Sequence, residues 1–234
     1  HVFSLRRSIP PHHVTARPAN SGILVRMHVM VISTGGTIAC TAGSDGALVP
    51  TLSAAELVAQ SATVHEVRAV DANRIDSSSA TLADLDRLRE AVRTSLLDAS
   101  VTGVVVTHGT DSLAETALGL DLVHRDPRPV ILTGAMRPAD DAAPDGPANL
   151  RGAIEAAARP QRAGVHIHFD GATLPARGAM KVATTAHDAF ALASPRPLPR
   201  PMPVPAAPLA GLDVPIVRAW AGADGRLVEA VRDA

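Results

Sequence analysis

Val104-Val105-Val106-Thr107-His108-Gly109-Thr110-Asp111 places a β-branched apolar run directly before a glycine-containing turn, and helix-compatible sequence follows from Ser112. The same order occurs upstream, where the run His28 to Ile32 leads into Ser33-Thr34-Gly35-Gly36-Thr37. Short apolar runs closed by a turn are characteristic of strands buried on both faces of a parallel sheet. In an open α/β sheet, ligands bind outside the carboxyl ends of the strands, where both turns fall. Glycine lets the backbone approach a small ligand and expose its N–H groups. The threonines add hydroxyls to the same crevice. Two such turns suit hydroxyl chemistry on a small polar molecule.

Around these turns the chain alternates apolar runs with amphipathic segments, the order of βα units. Val29 to Ile32 reads as the first buried strand. Cys40 to Thr51 reads as a polar, glycine-containing loop, and a short helix opens at Ser53. Glu66 to Val70 is expected to be a strand. Thr81 and Asp84 fit a capping pattern for a helix over 81–98, whose apolar face is Leu82, Leu85, Leu88, Val92 and Leu96. A helix is expected over 112–124 and a strand over 130–132, the latter ending in Gly134-Ala135-Met136-Arg137-Pro138. Asp145-Gly146-Pro147 starts a helix that runs to about Arg159, with proline acceptable in its first turn. Strands are expected over 164–169 and 178–182.

Between Pro195 and Pro208 there are seven prolines in 14 residues, too many for a helix or a central strand. This stretch reads as a semi-rigid linker. A strand-like run at 212–217 and a helix near 227–231 follow. The expected organisation is an extension at 1–26, disordered or artefactual, before a natural start at Met27. A catalytic domain at 27–194, the linker at 195–208 and the opening of a second, cut-short domain at 209–234 complete it. The fold class is an open, mainly parallel α/β sheet with helices on both faces, flavodoxin- or Rossmann-like.

Composition narrows the function. Three Phe, one Trp and no Tyr leave an aliphatic core and no stacking platforms for single-stranded nucleic acid. A net charge of -1 provides no global field for nucleic acid or an anionic membrane. Residues 1–26 hold Arg6, Arg7, Arg17 and Arg26 with no acid, a pattern also compatible with a transit peptide. One cysteine, Cys40, excludes an internal disulfide, and the cytoplasm is the default location. No apolar stretch is long enough to span a bilayer.

The chain uses 21 arginines and one lysine, Lys181. Lysine can lose its proton when buried and act as a base, whereas arginine does not. Lys181 therefore marks either a position that needs an amine or a chance survivor of a biased composition. Gly-Gly-Thr alone also fits a phosphate cradle or a plain tight turn, and the spacing matches neither the Walker loop nor the dinucleotide fingerprint. Thr110-Asp111 equally suits a helix cap. His166 and His168 share one strand face, which fits packing better than a metal site lacking a third ligand. His108 reads as structural or orienting, and Asp140, Asp141 and Asp145 as a solvated acidic loop.

Taken together, four blocks resemble the bacterial-type L-asparaginase family, which includes asparaginase–glutaminases. They are Ser33-Thr34-Gly35-Gly36-Thr37-Ile38-Ala39, Thr107-His108-Gly109-Thr110-Asp111-Ser112, Gly134-Ala135-Met136-Arg137-Pro138 and Asp145-Gly146-Pro147-Ala148-Asn149-Leu150. They stand in the family's order and at similar spacings. The likeness runs from Met27 to the proline-rich stretch and resumes weakly at Leu212.

The resemblance implies hydrolysis of the L-asparagine side-chain amide to L-aspartate and ammonia, with L-glutamine as a side substrate and no cofactor or metal. It assigns Thr37 as the nucleophile and Thr110, Asp111 and Lys181 as a second catalytic group. Ser77, with Ser78 beside it, would hold the substrate's α-carboxylate, Asp111 its α-ammonium, and the Ala135 carbonyl its amide nitrogen. Backbone N–H groups at the two turns, Gly36 among them, would face the developing oxyanion. The family forms homotetramers of paired dimers. Its loop tyrosine, which helps activate the nucleophile, has no counterpart here: the chain contains no tyrosine, and Thr41, Ser44 and Thr51 are the hydroxyls nearby. That departure also fits a catalytically impaired amino-acid-binding relative. An ammonia-supplying amidotransferase component is a third reading.

Overall fold

Strand β1 (His28–Gly35) lies between two parallel neighbours, β4 (Val67–Ile75) and β5 (Val101–Thr107). This computed structural model describes residues 26–159, 162–196, 198–214, 222 and 224–232. Residues 1–25 of the expected extension at 1–26 lie outside the described residues, as does half of the strand-like run at 212–217. Leu212 to Val214 are not in a strand.

The main sheet has the order β4-β1-β5-β6-β7-β8, with β6 at Val130–Thr133, β7 at Val165–Phe169 and β8 at Ala172–Pro175. The first five strands are parallel, and β8 closes the edge antiparallel to β7. From β1 the chain passes to β4 on one side and then to β5 on the other. The order of connection therefore reverses between β1 and β5, which is where an open sheet leaves a crevice. Both glycine turns leave the sheet there, since Ser33 is in register with Thr107.

Strand alternation divides the core into two layers. Val104, Val106, Ile32, Leu132 and Ile167 meet Leu88 and Val92 of α2 (Leu82–Ser95) and Leu113, Ala117 and Leu120 of α3 (Leu113–Asp121). Val105, Val29, Val31 and Ile131 meet Leu57 of α1 (Ala54–Ser61) and Leu150 and Ile154 of α4 (Gly146–Ala157). This accounts for the uninterrupted valine run: consecutive residues face opposite, equally dry layers. Each such side chain contributes roughly 1.5–3 kcal/mol. The expected α2 face is only partly buried, with Leu88 and Val92 in the core and Leu82, Leu85 and Leu96 half-buried.

Capping follows the sequence at α1 and α2, where Ser53/Glu56 and Thr81/Asp84 form reciprocal capping boxes. The stretch over 40–51 differs from the expected loop. It forms a two-stranded hairpin from β2 (Cys40–Ala42) and β3 (Leu48–Pro50). Its turn is closed by Gly43, which donates to the Ala47 carbonyl, and Asp45, which accepts from Ala47 N. Three-residue strands are too short to show period-two alternation, so sequence patterning does not register them.

The strand expected over 178–182 is β9 (Ala179–Lys181), paired only with β10 (Phe190–Leu192) in a small separate sheet. The described part of the proline-rich stretch lies along the outside of α2 and α3. Arg125 donates to the Pro203 carbonyl, Val204 N to the Leu122 carbonyl, and Leu209 N and Ala210 N to the Asp86 carboxylate. A terminal helix, α5 (Arg226–Arg232), stands where one is expected.

Candidate active site

The two glycine turns are in backbone contact. A Cβ built on Gly36 would lie 2.4 Å from Gly109 N, and one on Gly109 would lie 2.4 Å from Ser77 Oγ. Gly36 also has φ +78°, a conformation that side chains rarely adopt. These contacts bring Thr37, Thr110 and Ser77 to one crevice at the carboxyl ends of β1 and β5. Gly134 joins from β6, where a Cβ would lie 2.4 Å from the His108 carbonyl oxygen.

Thr37 opens a 3-10 turn, Thr37–Ala39, and its side chain is half-buried. Cys40 Sγ donates to the Gly36 carbonyl at 3.3 Å and steadies the turn from below. Burial first, and Asp76 second, push the Cys40 thiol above its ordinary pKa, so it remains a neutral donor. Thr34 Oγ1 donates to the Thr107 carbonyl at 2.9 Å and ties the turns together at their base.

At the second turn, Lys181 Nζ donates to Thr110 Oγ1 and to Asp111 Oδ1, each at 2.8 Å. The Lys181 side chain is 19% exposed and that of Asp111 56% exposed, so the amine is largely shielded and the carboxylate largely open to solvent. Neither Thr110 nor Asp111 caps α3. Ser112 stands at the N-cap, and its Oγ donates to the Ser77 carbonyl at 2.8 Å instead of capping the helix. Ser77 Oγ accepts from Asp111 N at 3.1 Å. The 3-10 turn Ser77–Ser79 is thus fastened to the start of α3. Ser77 is buried, whereas Ser78 is exposed and its backbone N–H is taken by Asp76 Oδ1.

His108 is buried. Its Nδ1–H donates to the Gly109 carbonyl at 2.8 Å, and its Nε2 faces Thr116 Oγ1 at 3.4 Å. Burial holds this imidazole below the ordinary histidine pKa, and it serves as a neutral brace for the turn. His168 packs on Gly152 and bonds Thr173 Oγ1 through Nδ1 at 2.8 Å.

The acidic loop is not simply solvated. Asp145 accepts from Met136 N and Arg137 N at 2.9 Å each, and Asp140 accepts from Ala42 N at 2.8 Å. Asn149 donates to the Gly134 carbonyl at 3.0 Å. Buried Ala135 is therefore held between two fixed peptides. Sequence reasoning gave Asp145 and Asn149 no such role. They lie eight or more residues from the groups they hold, and no local pattern encodes that reach.

Thr41 and Thr51, two of the hydroxyls near the first turn, bond each other across the β2–β3 hairpin at 3.0 Å. Among the described residues, no helix is long and apolar enough to cross a membrane.

The sequence model of the asparaginase N-terminal region matches residues 28–201. The chain is 36% identical over 134 residues to a glutaminase-asparaginase of Acinetobacter glutaminasificans, covering 54% of this chain and 40% of that protein. It is 31% identical over 172 residues to L-asparaginase 2 of Bacillus subtilis, covering 70% of this chain and 46% of that one. The crystal structure of a probable cytoplasmic L-asparaginase from Campylobacter jejuni superposes with a TM-score of 0.65 at 31% identity, over 71% of this chain and 53% of that one. The chain thus spans about half the length of these relatives, or less.

Proposed function

The chain belongs to the asparaginase family, and from that premise we propose that it hydrolyses the side-chain amide of L-asparagine to L-aspartate and ammonia, with Thr37 as the nucleophile and L-glutamine as a weaker substrate. The observation that carries this reading is the double hydrogen bond from Lys181 Nζ to Thr110 Oγ1 and Asp111 Oδ1, in the turn whose Gly109 meets Gly36, the residue before Thr37.

A threonine hydroxyl is a weak nucleophile at neutral pH and needs a path for its proton. In the proposed reaction, Thr37 Oγ1 adds to the amide carbon, its proton passes to Thr110 Oγ1, and the Thr110 hydroxyl proton passes in turn to the Lys181 amine. Collapse of the tetrahedral intermediate breaks the C–N bond, the proton returns to the nitrogen, and ammonia leaves an aspartyl ester on Thr37. Water then adds to the ester and restores the hydroxyl.

The Gly36 N–H, expected to face the oxyanion, is instead donated to the Ile75 carbonyl at 3.2 Å, so the neighbouring backbone N–H groups of the two turns would meet the developing charge, with each donor worth roughly 3 kcal/mol. Asp111, with its exposed carboxylate, suits the substrate's ammonium. Ser77 suits the carboxylate end and the Ala135 carbonyl the amide nitrogen. Recognition of both charged ends of a free amino acid rejects amides within a protein chain.

The test is ammonia release from L-asparagine and L-glutamine. The expected result is turnover of both, with asparagine preferred. Binding of asparagine or aspartate by calorimetry with no ammonia produced would overturn hydrolysis and leave an amino-acid-binding protein.

A further inference from the structure

Buried Asp121, at the last position of α3, gathers two guanidinium groups. Its side chain is 2% exposed and lies 2.9 Å from Arg177 Nε and 2.7 Å from Arg200 Nε. Oδ1 also accepts from Val165 N at 3.2 Å. A buried carboxylate needs such partners, because an unpaired charge in this environment is costly. The two arginines come from different places. Arg200 belongs to the proline-rich stretch outside α2 and α3, and also donates to the His124 carbonyl. Arg177 stands four residues before Lys181, in the turn between β8 and β9.

The geometry points to a positioning role for the Asp121–Arg177 pair in the proposed reaction. Its working rests on the hydrolytic reading. Lys181 sits on β9, which among the described residues pairs with β10 and has no hydrogen-bonded neighbour in the main sheet. The β9–β10 hairpin is held at its β10 side by Phe190, whose ring lies 4.9 Å from that of Phe169. On the β9 side, Ala179–Lys181 lies against α3.

Helix α3 joins the two ends of this arrangement. Asp111, which receives Lys181, stands two residues before it, and Asp121, which receives Arg177, ends it. The nine residues of α3 span about 13 Å, and the step back to Asp111 lengthens that. Four residues of extended chain span at most about 13 Å. Two long side chains make up the difference. The segment is therefore fixed to α3 at both ends by charge, and the upstream pair sets where Lys181 Nζ can reach. Arg177 meets Asp121 as an ion pair without an aligned hydrogen bond, so the attachment is electrostatic.

The experiment uses the single lysine. With lysine carrying 13C at its ε carbon, this chain gives one lysine side-chain signal, that of Lys181. Spectra are recorded for the unsubstituted chain, R177Q and R125Q. R177Q leaves Asp121 paired with Arg200, which favours folding. R125Q loosens the proline-rich stretch at Pro203 without touching Asp121. The expected result is a shift of the Lys181 signal toward that of free lysine in R177Q and no shift in R125Q. In ammonia-release assays, R177Q should lower kcat at least tenfold with KM within twofold, and R125Q should leave both within twofold.

Superposition of the R177Q signal on that of the unsubstituted chain would overturn the positioning role, as would equal kcat losses in the two variants. D121N, which removes the charge and retains the shape, is the second probe if R177Q does not fold. It should show the same displacement. If the unsubstituted protein releases no ammonia, the hydrolytic reading fails, while the NMR comparison still decides whether Arg177 places the amine.

Discussion

Gly36 and Gly109 meet backbone to backbone, and this contact holds together the turns that carry Thr37 and Thr110 at the ends of β1 and β5. Sixty or more residues separate the turns in sequence. Parallel pairing of their strands brings them level, and the absence of two side chains lets them close.

Gly36→Ala should therefore be severely destabilising. It forces an unfavourable φ of +78° and drives a methyl group into the Gly109 peptide, for a combined cost of at least about 3 kcal/mol. Gly46 provides the control, since it has a φ of +79° with nothing within 4 Å. Gly46→Ala should cost only about 1–2 kcal/mol. Urea denaturation of the two variants checks the difference, and equal losses would show that the turns do not depend on close approach.

Asp145→Asn should loosen the peptide that presents Ala135. The carboxylate accepts two backbone N–H groups, and an amide can accept only at its oxygen while turning an NH2 toward the other donor. A stability loss of about 1.5–3 kcal/mol is expected, with a rise in KM for asparagine. An unchanged KM would detach this turn from substrate binding.

Stability should also fall as the solution is acidified below neutrality. His108, His124, His166 and His168 all have their pKa values lowered, chiefly by burial. Above the unfolded value near 6.5, both states are neutral and stability is at its full level. As pH drops through 6.5 the unfolded chain takes up protons that the native state refuses. Each adds a slope of about 1.4 kcal/mol per pH unit until the folded value is passed. Urea midpoints measured from pH 7.5 to 5 should decline over that window, with a shallower slope for His108→Gln. A flat profile would contradict the burial argument.

Much of this was legible in the sequence because it depends on local pattern. The valine runs, the caps at Ser53 and Thr81, and the glycine turns each declare their structure within a few residues. The resemblance further singled out Thr110, Asp111 and Lys181, which are joined by hydrogen bonds. The reach of Asp145 to Met136, of Ser112 to Ser77 and of Arg177 to Asp121 was not legible. In each case a residue with an obvious local use, as a cap or a surface charge, is diverted to a partner set by tertiary packing. The β2–β3 hairpin escaped for a different reason, its strands being too short to show a period.

Lys181→Arg should abolish most turnover while leaving the fold intact. The guanidinium retains charge but cannot release a proton and is too broad for the position between Thr110 and Asp111. A kcat loss of about 100-fold or more is expected. The change in unfolding free energy should stay within about 1 kcal/mol, since the Asp111 partner is largely exposed. Retained wild-type turnover would remove Lys181 from the proton path.

The central claim, attack by Thr37, is tested most directly by acid-quenching the protein during turnover of asparagine and mapping covalent adducts by mass spectrometry. The account predicts one aspartyl ester, located on Thr37 and absent from Thr37→Ala. An ester on Thr110, or asparagine hydrolysis by Thr37→Ala at the unsubstituted rate, would contradict it.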